Sequence, residues 1–116
     1  MILDSCELGD VALQSGAVLH KARLAYKTFG QLNAARTNVI IYPTSFGAQH
    51  PDIEWLIGPG KALDPDKYFI VIPNMLGNGL SSSPGDHADD ESRRRFPRIT
   101  MYDNVMLQHR LLRERF

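Results

Sequence analysis

Two stretches of this chain run apolar without polar alternation: Val39-Ile40-Ile41-Tyr42, closed by Pro43, and Tyr68-Phe69-Ile70-Val71-Ile72, closed by Pro73. Successive side chains on a strand point to opposite sides, so a strand with one wet face alternates. Runs that do not alternate belong to strands covered on both faces, as parallel strands of α/β sheets are. Between them, Ile53-Glu54-Trp55-Leu56-Ile57 fits a short helix near 52 to 57, ended by Gly58-Pro59-Gly60, and the spacing allows a right-handed crossover. Asp64-Pro65-Asp66-Lys67 supplies a turn just ahead of the second run. The reading is two parallel strands, at 39 to 43 and 68 to 72, joined through that helix.

Residues 11 to 29 read as an antiparallel hairpin turning at Ser15-Gly16, with Ala22, Leu24, Tyr26 and Thr28 on one face and Lys21, Arg23 and Lys27 on the other. That pattern predicts a half-wet sheet edge. Gly30 and Asn33 to Asn38 then form a polar loop. A last helix is expected over 100 to 115, capped by Thr100 with Asp103 three residues on, and with Met101, Val105, Leu112 and Phe116 near one stripe. Ser81 to Arg95 is polar and reads as an insertion or lid-like surface loop.

At 116 residues the chain holds one domain's worth of sequence at most. Lys plus Arg and Asp plus Glu both number 13, so no net field attracts nucleic acid or an anionic membrane. Those partners are disfavoured. Cys6 is the single cysteine, which excludes an internal disulfide and fits a reducing compartment. With no basic neighbour to lower its pKa, it reads as an inert thiol near a strand. The start of the chain has no basic segment followed by an apolar one, so the expectation is a cytoplasmic protein.

Ligands of open α/β sheets sit beyond the carboxyl ends of parallel strands, so chemistry is sought at Thr44 to His50 and Asn74 to Pro84. Thr44-Ser45-Phe46-Gly47-Ala48 can turn a backbone N–H towards a developing oxyanion; an ordinary strand-to-helix turn is the plainer reading. Asn74-Met75-Leu76-Gly77-Asn78-Gly79-Leu80-Ser81 invites a dinucleotide site, but Ser82 stands where the third glycine belongs and no helix pattern opens there. Gly58-Pro59-Gly60-Lys61 lacks the upstream glycine and the following Ser or Thr of a phosphate loop. His50 follows the first loop and could line a pocket, though a surface residue at a helix start is the plainer reading; His20 and His109 read as structural. Asp86-His87-Ala88-Asp89-Asp90 matches no established metal loop, and Arg93-Arg94-Arg95 reads as solvated charge.

Taken in order, three groups of words are informative: Leu24-Ala25-Tyr26-Lys27-Thr28-Phe29-Gly30-Gln31-Leu32-Asn33; Leu56-Ile57-Gly58-Pro59-Gly60-Lys61-Ala62-Leu63-Asp64; and Tyr68-Phe69-Ile70-Val71 leading into Asn74-Met75-Leu76-Gly77. Together they resemble the N-terminal part of the homoserine O-acetyltransferase family, from about residue 10 to 112. The resemblance implies an α/β-hydrolase fold: here its N-terminal portion, an antiparallel hairpin plus parallel strands with crossover helices. Residues 1 to 116 would then be an incomplete domain, ending before the nucleophile elbow.

The family moves an acyl group from acyl-CoA through a serine ester to the hydroxyl of homoserine, in methionine biosynthesis, with no metal or organic cofactor. Its loop after the third strand gives one backbone oxyanion N–H, a position matched by Ser45 and, less closely, Phe46. The serine nucleophile belongs on a G-x-S-x-G elbow, which these residues do not contain. None of the triad is therefore assigned, and His109 and Asp103 do not fill the vacant roles.

Such acetyltransferases usually carry a histidine at the place of Pro43, Leu-Thr at the place of Ser45-Phe46, and a Cys- or Ser-bearing glycine loop at 77 to 81. The version here looks more like general α/β-hydrolases, which gives an esterase or amidase as a second reading. A third is an inactive product that acts only by association. The expected partners are acyl-CoA and a small hydroxyl substrate in the complete protein. For the chain alone they are a second copy or the missing C-terminal half, because the strand at 39 to 42 would have a bare outer edge.

Overall fold

The computed structural model describes residues 2–45, 48–83 and 96–116. Its elements are β1 (Ile2–Ala12), β2 (Val18–Phe29), β3 (Val39–Ile41), α1 (His50–Ile53), a 3-10 turn (Glu54–Leu56), β4 (Phe69–Pro73) and α2 (Met101–Arg115). The strands make one mixed sheet in the order β1-β2-β4-β3. β3 and β4 are parallel, from Val39↔Phe69 to Ile41↔Val71, as their apolar runs predict. β4 is antiparallel to β2, from Tyr26↔Pro73 to Phe29↔Ile70.

β4 shows why its sequence does not alternate. All of Phe69 to Pro73 is buried. Phe69 and Val71 join Cys6, Leu24, Tyr26, Leu107 and Leu111 on the α2 side. Ile70 and Ile72 join Ile53 on the other side, with Phe29, Ile40, Tyr42, Ile57 and Leu63 packed against them. β3 departs from the same expectation. Val39 and Ile40 are half-buried and Ile41 is exposed, because β3 ends the strand order and nothing among the described residues pairs with its outer edge.

The hairpin turns where expected. Leu13 N–H donates to Ala17 O at 2.9 Å, and Gly16 takes φ +91°, a conformation open to glycine at little cost. It is longer than the sequence suggested, since β1 starts at Ile2 and not Val11. Register shifts on either side of Gly9 break the alternation that would have revealed the early part of β1. The half-wet edge also moves: β1 is the outer strand and β2 lies inside the sheet. On the second face of β2, Ala25 is buried and Lys27 pairs with Glu54 of the 3-10 turn. Cys6 lies buried within β1, with Arg115 of the last helix as a basic neighbour that the sequence did not reveal. The first helical segment begins two residues before the expected 52, and its continuation is a 3-10 turn.

The α2 cap is as predicted. Asp103 N–H donates to Thr100 Oγ1 at 3.2 Å, and Thr100 N–H to Asp103 Oδ2 at 2.9 Å. The predicted stripe divides, however. Leu112 and Phe116 pack on the core, the Phe116 ring standing edge-on to Tyr26 and Phe69, but Met101 and Val105 are exposed. The buried face is Asp103, Asn104, Leu107, Gln108 and Leu111. Polar residues occupy it because two loops offer them backbone partners: Asp103 Oδ1 accepts from Gln14 N–H of the hairpin turn at 2.8 Å, and Asn104 Oδ1 from Leu76 N–H of the loop after β4 at 2.9 Å.

Burial pushes the Asp103 carboxyl up, but the N–H groups of Thr100 and Gln14 outweigh it and hold the group below its ordinary 3.8. A depressed folded pKa adds stability above the unfolded value, lost as pH falls through the folded one. Asp103→Asn is therefore expected to cost about 1 kcal/mol at neutral pH, the usual scale of a lost cap. In urea titrations the gap to the parent protein should close progressively as pH drops below 3.8. A gap unchanged by acid would mean the charge plays no part.

Candidate active-site loops

Two loops leave the carboxyl ends of the parallel strands: 42–49 after β3 and 74–83 after β4. Parallel pairing continues past β3, with Tyr42 N–H donating to Val71 O at 2.8 Å and Thr44 N–H to Pro73 O at 3.3 Å. Thr44 is buried, and its Oγ1 accepts from Met75 N–H at 3.1 Å. The first loop then turns, with Ala48 N–H donating to Ser45 O at 3.0 Å. Ser45 stands exposed at this turn, and among the described residues nothing accepts from its N–H. Phe46, the other oxyanion candidate, lies outside the described residues.

The second loop is locked to the sheet and to itself. Ser81 Oγ donates to Asn74 O at 2.6 Å and accepts from Ala25 N–H at 2.9 Å. Ser82 Oγ accepts from Arg23 N–H at 2.7 Å. Gly77 N–H donates to Ser82 O at 2.8 Å, and Gly79 N–H to Ser83 Oγ at 2.8 Å. These bonds use the N–H groups of Gly77 and Gly79 within the loop itself. Lys61 Nζ donates to Trp55 O at 2.8 Å, so the Gly58–Lys61 segment is a structural bend.

His50 is buried, against the expectation of a surface residue. The reason is Asn74, fully buried at the end of β4. Asn74 Oδ1 accepts from His50 N–H at 2.9 Å and from Asn78 Nδ2 at 3.1 Å. Asn78 Nδ2 also donates to Ala48 O at 3.1 Å, while Gln49 Nε2 donates to Asn78 O at 2.8 Å. Sequence reading gave Asn74 and Asn78 no such role, because asparagines just after Pro73 read as ordinary loop residues.

The remaining histidines sit elsewhere. His20 is exposed in the hairpin beside Asp10, and His109 is exposed on α2. Among the described residues no three of His, Cys, Asp or Glu gather as a metal site, and no helix is long and apolar enough to cross a membrane. The Asp86 to Asp90 cluster, the Arg93 to Arg95 run and most of the expected 81 to 95 lid lie outside the described residues.

No protein-family model matches the chain. It is 37% identical over 110 residues to an ethyl acetate hydrolase of Pseudomonas veronii, covering 94% of this chain and 32% of that one. To a homoserine O-acetyltransferase of Thermobifida fusca it is 40% identical over 119 residues, covering 88% and 31%. Its structure superposes on an acetylester hydrolase from Corynebacterium glutamicum with TM-score 0.91 and 40% identity, over 99% of this chain and 34% of that one. The chain thus spans about a third of the length of the relatives it matches.

Proposed function

The chain belongs to the α/β-hydrolase family of homoserine O-acetyltransferases and acetyl esterases, whose N-terminal part it matches, and from this we propose that it supplies one wall of a serine acyl-transfer site. In the complete protein a serine outside these residues attacks an ester or thioester carbonyl. The oxyanion that forms accepts hydrogen bonds from Ser45 N–H and from the N–H after the nucleophile. The leaving group departs, and a second hydroxyl compound attacks the acyl-serine.

That compound is water in our preferred reading, which makes the activity hydrolysis of short acyl esters. Its support is the backbone match to an acetylester hydrolase, together with Pro43 and Ser45-Phe46 at the places where the transferases carry His and Leu-Thr. The observation that carries the whole reading is the Ser45 N–H, for which no acceptor stands among the described residues, in the loop beyond the carboxyl end of a parallel strand. The second reading, acetyl transfer from acetyl-CoA to homoserine, is favoured by the identity to the Thermobifida fusca enzyme. By itself the chain lacks the nucleophile and is inactive, and the outer edge of β3, unpaired among the described residues, is where the complementary segment, or a second copy, pairs.

A chimera tests this: residues 1–116 replace the matching third of the Corynebacterium glutamicum acetylester hydrolase. Hydrolysis of p-nitrophenyl acetate exceeding homoserine acetylation is the expected result. Dominant acetylation would select the second reading. A folded chimera with neither activity would overturn both.

A further inference from the structure

We propose that Asn74, His50 and Asn78 form a buried polar clasp that fixes the Ser45 loop, which makes His50 and Asn74 positioning residues for acyl transfer; this rests on the reading of Ser45 as an oxyanion donor. The orientation of the Asn74 amide is set by chemistry. The backbone N–H of His50 can only donate, so the Asn74 atom 2.9 Å away is the oxygen. Asn74 Nδ2 must then face His50 Nδ1 at 3.1 Å and Ala25 O at 3.3 Å. An amide NH2 has only protons to offer, so His50 Nδ1 accepts and the ring carries its proton on Nε2.

One side chain thus ties together β2, the start of α1 and the second loop. Asn74 N–H also donates to Ala25 O at 2.8 Å, so the amide cannot drift from the sheet. Asn78 extends the tie to Ala48 O at 3.1 Å, and Ala48 N–H closes the turn onto Ser45 O. The Ser45 N–H is therefore held from behind by a chain of hydrogen bonds running into the most buried strand. An oxyanion donor acts only if it is in place before charge develops, and a misplacement of about 1 Å can cost around a hundredfold in rate.

Two variants and one spectrum test the clasp. In the chimera, His50→Phe keeps a flat ring but removes the acceptor, and should lower kcat about tenfold to a hundredfold with KM within about threefold. His50→Gln restores an acceptor and should recover most of the loss. Equal loss in both variants, or none in His50→Phe, overturns the clasp, provided Ser45→Pro abolishes activity in the same chimera. If Ser45→Pro is harmless, the oxyanion reading itself fails. Independently of activity, nitrogen-15 spectra of the 116-residue chain should show His50 protonated on Nε2, with the signal changed in Asn74→Ala. An Nδ1-protonated ring in the parent chain would overturn the hydrogen-bond assignment.

Discussion

The 116-residue protein alone is expected to leave both p-nitrophenyl acetate and acetyl-CoA with homoserine unreacted, at rates about a thousandfold or more below the chimera. An oxyanion donor stabilises an intermediate that only a nucleophile can form, and loss of a triad member typically removes several orders of magnitude. Among the described residues no hydroxyl is assigned the role of that serine. Ser45 has a hydroxyl, but the imidazole of His50 is committed through Nδ1 to Asn74. His20 lies in the hairpin and His109 on α2, and His87 lies outside the described residues. Purified protein is assayed beside its Ser45→Pro variant. Turnover in the parent that disappears in the variant would show a complete site within these residues and would sink the assignment.

What could be read from the sequence follows which forces leave a local mark. A run without alternation marked β3 and β4 and their parallel pairing, although only β4 is covered on both faces. A turn needs glycine at positive φ, and Ser15-Gly16 announced it. A cap needs Thr100 and Asp103 three apart, and α2 begins there. The misses on α2 and at His50 share one cause: polar residues buried because a distant part of the chain satisfies them. Asp103 meets Gln14, Asn104 meets Leu76, and His50 meets Asn74. Periodicity scores such residues as wet, which turned the predicted α2 stripe and placed His50 on the surface. The same long-range pairing conceals Asn74, the residue on which the two loops converge.

Gly30→Ala should be among the most damaging single substitutions in the chain, although Gly30 is neither in the core nor at the site. It follows directly on β2 at φ +83°, where an L side chain is strained by about 1 kcal/mol or more. Steric overlap costs more than this strain. A Cβ on Gly30 would lie 2.2 Å from Tyr68 O and 2.6 Å from Pro65 O. Both are backbone atoms and cannot swing away, so the 65–68 turn must shift. That turn delivers the chain into β4, whose first pairings are Phe69 with Val39 and Ile70 with Phe29. Displacing it loosens β4 from both neighbours. We expect a loss of about 3 kcal/mol or more, a large share of ordinary domain stability. Gly60 separates the two contributions: its φ is +78°, yet nothing lies within 4 Å of its would-be Cβ. Gly60→Ala should therefore show the backbone strain alone, about 1 kcal/mol. Urea unfolding of both variants decides the matter, since equal losses would mean that the close approach of the 65–68 turn to Gly30 does not exist in solution.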